Sequence, residues 1–180
     1  MVYPNLLLQL GGHYQKENLQ TVLQALEFLK HPYGITDKHL LEGLKNVRTL
    51  TKFMGRWQIL GENPLTIAES AHNEAGIKTV LQQVEQYSYR QLHFVYGTVH
   101  DKDISKILAL LPKSASYYFA KANIPRGLDA TALQENAAKH RLYGEAWPTV
   151  AAALEAAKSN AQIDDLILIS GSIFVVAEVL

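Results

Sequence analysis

Apolar and polar residues alternate in blocks along the chain, and the blocks switch between the helix period and the strand period. In residues 74–87, the apolar positions follow the i, i+3, i+4, i+7 spacing of a helix with one buried face. Short apolar runs typical of strands occupy residues 57–60, 65–68, 92–96, 116–120 and 166–169. The last of these is continuously apolar, which is typical of a parallel strand covered on both faces.

The remaining blocks add helices and two weaker strands. Helices are predicted up to about Lys30, from Thr36 as N-cap to residue 47, and over residues 101–111, 130–139 and 147–158, the last with Pro148 in its first turn. Short strands are predicted over 2–10 and 141–143. The segment after Gly171-Ser172 fits either a last strand or a short helix, and Gly-Ser favours the helix. The turn residues 61–64 between two strands favour an antiparallel hairpin.

This alternation of strand and helix predicts an α/β fold. We expect a Rossmann-like, mostly parallel sheet with an antiparallel edge hairpin and helices on both faces. Residues 1–52 contain too few elements to close a core of their own. We therefore place a domain boundary after residue 52 and expect them to be the tail of a larger unit.

Composition excludes several function classes. The 180 residues contain 17 acidic and 17 basic side chains, a balance that favours neither nucleic acid nor an anionic membrane as a partner. There is no cysteine, which suits a reducing compartment. No apolar segment is long enough to span a bilayer, so we expect a soluble, cytoplasmic protein.

Candidate chemistry gathers where strands end. Glu69, His72 and Asn73 follow a strand and precede a helix, a place that favours anions because unpaired N–H groups point outward there. The carboxyl ends of the other strands lead into residues 97–103, 120–126 and 170–172. The chain has no phosphate-binding Gly-rich loop, no G-x-S-x-G elbow and no metal-ligand spacing, so no metal site is predicted. Asn73 is explained by helix capping alone.

Five segments together resemble one family. Residues 69–73, Glu-Ser-Ala-His-Asn, resemble the Asp-Gly-Ala-His-Asn signature of folylpolyglutamate synthase/dihydrofolate synthase, within the Mur ligase superfamily. Four other segments resemble the family's motifs, and all five occur in the family's order. The four are Gly12-His13-Tyr14-Gln15 with Asn18, Gly55-Arg56, Tyr96-Gly97 with Asp101-Lys102-Asp103, and Gly171-Ser172 through Glu178. The chain departs from the signature at Glu69 and Ser70, where the family has Asp and Gly.

The resemblance implies an ATP-dependent amide ligase. Such an enzyme uses ATP and Mg²⁺ to phosphorylate a folate or dihydropteroate carboxylate, and the amino group of L-glutamate then attacks the acyl phosphate. It implies that residues 1–52 are the tail of a central ATP-binding domain and residues 53–180 the glutamate-ligase domain. The phosphate loop and magnesium ligands of the family lie upstream, so we expect this chain alone to need that ATPase domain as partner, to bind no cofactor and to be inactive.

Residue roles also follow from the resemblance. It implies catalytic roles for His72 and Lys102, and glutamate binding by Ser172 and His72. It implies nucleotide contacts by Asn18, Arg56 and Glu69. Two alternatives remain open: the C-terminal domain of a muramyl-peptide ligase, and a non-catalytic module that only binds a nucleotide or an amino acid.

Overall fold

The computed structural model of the chain describes Tyr3, residues 6–100 and residues 104–180. The chain divides into two compact units, Met1–Arg56 and Trp57–Leu180, a few residues after the boundary placed at residue 52. Within the described residues, no helix combines the length and the apolar character that crossing a bilayer requires.

The first unit contains helices α1 (Gln15–Tyr33), α2 (Asp37–Lys45) and α3 (Val47–Thr51). Thr36 caps α2 as predicted, because its Oγ1 accepts a hydrogen bond from the His39 backbone N–H at 3.3 Å. The Thr36 N–H in turn donates to His39 Nδ1 at 3.3 Å, which completes a capping box. Helix α1 extends beyond its predicted end and stops at Gly34, whose φ of 63° is readily adopted by glycine.

Two predictions for this unit are wrong. Residues 6–10, the described part of the predicted strand 2–10 apart from Tyr3, form no strand; Gln9 only donates its backbone N–H to the Leu44 carbonyl at 3.0 Å. A strand needs a paired neighbour, and the described part of this unit contains no other strand. The single helix predicted from Thr36 is interrupted at Asn46, whose φ of −121° separates α2 from α3.

Helix α1 buries very little of its surface within the unit. Among its 19 residues, Gln15 is the one that is buried. Apolar side chains on one side of the helix instead face outward: Val22 is 42% exposed, Leu29 is 41% exposed and Tyr33 is 74% exposed. Most helical stability in proteins comes from packing an apolar face, and this apolar face of α1 is exposed.

The second unit is built on one six-stranded sheet. Its strands are β1 (Gln58–Glu62), β2 (Leu65–Glu69), β3 (Leu92–Tyr96), β4 (Ser116–Ala120), β5 (Gly144–Trp147) and β6 (Leu166–Ser170). They lie in the order β1-β2-β6-β3-β4-β5, with β1 antiparallel to β2 and all the other neighbours parallel. The predicted fold class, a mostly parallel sheet with an antiparallel edge hairpin, is confirmed.

Helices cover both faces of this sheet. They are α4 (Glu74–Val84), α5 (Ser105–Leu110), α6 (Ala130–Lys139), α7 (Val150–Asn160) and α8 (Ile173–Ala177). Apolar residues of α4, α5 and α6 pack against Ile67, Phe94 and Leu168 on one face. Residues of α7 and α8 pack against Val95 and Ile169 on the other. Successive strand residues alternate between the two cores, as the period of a strand requires.

Element boundaries near β5 differ from the prediction. The predicted strand 141–143 is wrong; the strand is Gly144–Trp147. Helix α6 ends instead in a Schellman motif, in which Arg141 has a φ of 61° and the Leu142 N–H donates to the Ala137 carbonyl at 3.1 Å. Helix α7 begins at Val150, after Thr149 as N-cap, so Pro148 precedes the helix rather than lying in its first turn.

A buried polar network lies at the amino ends of β3 and β6. Asp165 has a fully buried side chain, and its Oδ2 accepts bonds from Arg90 Nη2 at 2.9 Å, His93 Nε2 at 3.2 Å and the Gln162 backbone N–H at 2.7 Å. Since Nε2 of His93 donates to the carboxylate, its Nδ1 accepts the hydroxyl proton of Tyr118 at 3.0 Å. Burial works to raise the pKa of Asp165, but these hydrogen bonds outweigh it and hold the pKa below its ordinary value.

Candidate functional site

The topology of the sheet places a crevice at the carboxyl end of β6. Strands β2 and β3 are followed by α4 and α5 on one face of the sheet. Strand β6, which lies between them, is followed by α8 on the opposite face. Where the connections of adjacent parallel strands leave to opposite faces, the strand ends open into a crevice that α/β proteins use for ligands.

The loops that follow β2 and β6 are bonded to each other at this crevice. Ser170 Oγ donates to the Glu69 carbonyl at 2.6 Å, and the Gly171 N–H donates to the Ala71 carbonyl at 3.2 Å. Gly171 has a φ of 110°, and a Cβ at this position would lie 2.4 Å from the Gly97 carbonyl oxygen. Glycine therefore allows the β6 loop to approach the end of β3. These contacts bring the segments that carry His72 and Ser172 together.

His72 is exposed, on the loop between β2 and α4. Its Nδ1 lies 3.2 Å from the Ser70 carbonyl oxygen. A carbonyl can only accept, so the neutral imidazole carries its proton on Nδ1. Asn73 caps α4, with its Oδ1 accepting the Gly76 N–H at 2.8 Å, as the sequence predicts. The cap fixes the loop and thereby the position of the imidazole.

Ser172 is buried, at 5% exposure, and caps α8. Its Oγ accepts the Phe174 backbone N–H at 3.2 Å. Because this bond uses the oxygen as acceptor, the hydroxyl proton can still be donated to a ligand. The structure thus shows the capping role, and the glutamate-binding role of Ser172 stays a prediction.

Glu69 is also buried, at 3% exposure, at the end of β2. Its Oε2 accepts the Trp57 backbone N–H at 2.8 Å. The carboxylate that the resemblance assigns to a nucleotide therefore has a partner in the protein itself. The nucleotide contact of Glu69 stays a prediction.

The other predicted residues lie elsewhere in the chain. Asn18 and Arg56 belong to the first unit. Asn18 is exposed in the first turn of α1, and its Nδ2 donates to Gln15 Oε1 at 2.9 Å. The Arg56 guanidinium lies 5.6 Å from the centroid of the Phe53 ring. Lys102 lies outside the described residues. Within the second unit, the structure brings together the segments that carry Glu69, His72 and Ser172.

Two further side chains lie at this edge of the sheet. The Arg126 guanidinium lies 4.8 Å from the centroid of the Phe174 ring, next to the helix that Ser172 caps. The feature of the sequence that indicates Arg126 is a cation placed directly after Pro125 in the loop that follows a strand. Tyr96 ends β3, and burial raises the pKa of its hydroxyl well above the ordinary value, so it stays neutral.

The described residues include no group of three His, Asp or Glu side chains close enough to hold a metal ion. A cavity of about 460 Å³ opens between α5 and α6, with His100, Ser105 and His140 in its lining. Neither His72 nor Ser172 lines it. The candidate site is therefore an open edge of the sheet, which offers an imidazole and a hydroxyl for binding and orienting an anionic ligand.

Comparison with known proteins identifies the family. Residues 55–173 match the family described as Mur ligase, glutamate ligase domain. The chain is 38% identical over 170 residues to a Haloferax volcanii protein named probable bifunctional folylpolyglutamate synthase/dihydropteroate synthase. That match covers 93% of this chain and 19% of the relative, so the chain spans about a fifth of the relative's length.

Two solved structures are similar. The structure of E. coli FolC in complex with DHPP and ADP matches with a TM-score of 0.67 and 29% identity, over 81% of this chain and 34% of FolC. The Mycobacterium tuberculosis folylpolyglutamate synthase complexed with ADP and AMPPCP matches with a TM-score of 0.78 over 98% of this chain and 41% of that protein. At 24% identity, the second match shows the fold alone.

The resemblance to folylpolyglutamate synthase/dihydrofolate synthase is thereby confirmed. The matched residues 55–173 make up most of the chain and contain β1 to β6 together with the loops that carry His72 and Ser172. The chain belongs to the glutamate ligase domain family of the Mur ligases.

Proposed function

We propose that the chain is the glutamate-adding part of an ATP-dependent ligase that joins L-glutamate to the carboxylate of a folate or dihydropteroate. The observation that carries the proposal is the bonded pair of loops after β2 and β6, which presents His72 and Ser172 at the crevice of a glutamate-ligase domain. The name of the Haloferax volcanii relative supports the same activity.

The chain's own residues act on the incoming glutamate. ATP supplies the phosphoryl group that activates the acceptor carboxylate. The Ser172 hydroxyl donates its proton to a carboxylate of glutamate, which limits the directions from which the amino group approaches. With Nδ1–H directed to the Ser70 carbonyl, the imidazolium form of His72 donates through Nε2 to an anionic oxygen of the substrates.

Nucleotide contacts are proposed for Asn18 and Arg56, and a catalytic role for Lys102. Among the described residues of this chain nothing forms a magnesium site. We propose that the magnesium ligands and the phosphate loop belong to an ATP-binding domain, of which residues 1–52 are the tail.

The outward-facing apolar side chains of α1 support such a partner domain. Val22, Leu29 and Tyr33 lie on one face of the helix and are 42%, 41% and 74% exposed, and apolar surface of this kind is typical of an interface. The chain covers 34% of FolC, so the similar protein has further chain that can cover this face. We propose that the ATP-binding domain of the ligase packs against α1.

The chain by itself is expected to bind ATP weakly, because most of the groups that hold the phosphates lie in the partner domain. Isothermal titration calorimetry of residues 1–180 with MgATP checks this. Heat of binding that fits a micromolar dissociation constant would contradict the division of the nucleotide site.

Replacing His72 by alanine in the intact ligase is expected to lower kcat/KM for glutamate addition by about 100-fold, the usual effect of removing one donor to a developing charge. The measurement is ATP-dependent incorporation of labelled glutamate into the folate or dihydropteroate acceptor.

His140→Ala is the matched control, since it removes an imidazole that bonds Ser105 Oγ, outside the crevice. It is expected to leave incorporation nearly unchanged. Turnover by the His72 variant equal to that of the control would contradict the proposed role of His72, and no glutamate incorporation by the wild-type ligase would contradict the proposed function.

A further inference from the structure

The second unit begins with an unusual connection between its first residue and the end of β2. Gln58 pairs with Ala68 in the antiparallel ladder of β1 and β2. Continuing the ladder by one position would place Trp57 opposite Glu69. Trp57 instead has a φ of 43°, in the left-handed region that side chains other than glycine seldom adopt. The backbone therefore turns away from β2 at this residue.

The Glu69 side chain replaces the ladder bond that is lost. Its Oε2 accepts the Trp57 backbone N–H at 2.8 Å, and Glu69 is only 3% exposed. A hydrogen bond to a carboxylate away from water is shorter and stronger than one between neutral groups. Trp57 is itself only 4% exposed. If the Glu69 carboxylate were removed, the Trp57 N–H would lose this acceptor in a buried position, which costs free energy.

Trp57 is held from its side chain as well. The indole Nε1–H donates to the Tyr87 hydroxyl at 3.2 Å, and the two rings lie 6.0 Å apart. The residue is thus fixed at its backbone by β2 and at its ring by the segment after α4. These contacts fix the position of Trp57, the first residue of the second unit.

We infer that Glu69 is a positioning residue, which fixes the start of the second unit through the Trp57 N–H and thereby holds Arg56, one residue earlier, for its ligand. Glu69 acts from the same strand end that leads to His72. The inference rests on the proposed function for its consequence in catalysis, whereas the bond itself can be tested without activity. It differs from the direct nucleotide contact of Glu69 that the resemblance implies.

The first experiment measures amide hydrogen exchange of Trp57 by NMR in the full chain. Glu69→Met keeps the side-chain volume but has no carboxylate, and it is expected to accelerate exchange at Trp57 by about ten- to a hundredfold. Glu69→Gln retains an acceptor oxygen and is expected to stay close to wild type. Glu62→Met, the same substitution at an exposed position of the hairpin, is the matched control. Unchanged exchange in Glu69→Met overturns the inference.

The second experiment measures kinetics in the intact ligase. Glu69→Met is expected to raise KM for ATP about tenfold with kcat largely kept, because a displaced Arg56 weakens nucleotide binding rather than the chemical step. Glu69→Gln is expected to restore KM. If Glu69→Gln raises KM for ATP while exchange at Trp57 stays protected, Glu69 is a direct nucleotide ligand and the inference fails.

The two experiments distinguish failure of the positioning role of Glu69 from failure of the proposed ligase function. Accelerated exchange in Glu69→Met together with an unchanged KM for ATP overturns the positioning role, although the bond exists. Absence of glutamate addition by the wild-type ligase overturns the proposed function, and the positioning role falls with it, while the exchange result still establishes what holds Trp57.

Discussion

Gly171→Ala is expected to lower the free energy of unfolding of the second unit by about 4 kcal/mol, combining the strain of a left-handed φ with overpacking. The φ of Gly171 is 110°, and an added Cβ would lie 2.4 Å from the Gly97 carbonyl oxygen and 2.6 Å from the Tyr96 ring. The carbonyl belongs to the backbone at the end of β3 and cannot move without disturbing the sheet.

Thermal unfolding followed by tryptophan fluorescence measures this effect in the second unit, because the chain's two tryptophans, Trp57 and Trp147, both lie there. The expected loss corresponds to a fall in Tm of about 8–16 °C for a chain of this size. Gly61→Ala is the matched control, since a Cβ there would meet no atom closer than 3.6 Å. A loss no larger than that of the control would show that the β6 loop does not need glycine.

Asp165→Ala is expected to cost about 3 kcal/mol, because the substitution leaves buried donors without their acceptor. The Gln162 N–H and His93 Nε2–H both lose Asp165 Oδ2, and the direction of the proton in the Tyr118–His93 bond is no longer fixed. Arg90, whose side chain is 56% exposed, can turn to solvent, which keeps the cost below that of a fully buried ion pair. Denaturant unfolding at neutral pH measures the difference.

The effect of Asp165 depends on pH in a defined direction. Its pKa in the folded state lies below the ordinary value of 3.8, so the unfolded state takes up the proton first as the pH falls. The stabilisation is therefore complete above about pH 5 and declines as the pH falls through 3.8 and below. The gap in stability between wild type and Asp165→Asn is expected to narrow over the same range.

Asp164→Ala is the control for both measurements. Asp164 is 62% exposed and lies 3.5 Å from Arg90 Nε, so its ion pair is screened by solvent. Its removal is expected to cost less than about 1 kcal/mol. Equal losses for the two aspartates would contradict the importance of the buried network.

Elements with strong local signals were predictable from the sequence. The segment from β2 to α4 has a short apolar strand, an Asn cap and an apolar face at helical spacing, and each of these signals acts within a few residues. The end of α6 was not predictable, because Schellman motifs usually carry glycine where this chain has Arg141. Without that signal, Arg141 to Tyr143 has the composition of a strand, and β5 was placed too early.

The candidate site was predictable in part: its residues, but not the contacts between them. His72 and Ser172 follow from the family resemblance, and the structure brings their loops together. The bond between Glu69 and Trp57 has no sequence signal, because it depends on a left-handed tryptophan and on the pairing of two strands. The order of the strands in the sheet also has no local sequence signal, because packing over the whole unit decides which strands become neighbours.

The place of β6 in that order has a consequence for how the protein is made. Strand β6 lies between β2 and β3 but follows every other strand in the sequence. Until it is synthesised, the hairpin β1–β2 and the group β3–β4–β5 have no backbone bonds joining them. Without β6, the edges of β2 and β3 that pair with it have no partner strand, and unpaired strand edges are open to mispairing or to capture by chaperones. Residues 166–170 join the two groups into one sheet, so the crevice beside Ser172 exists only when β6 has taken its place between β2 and β3.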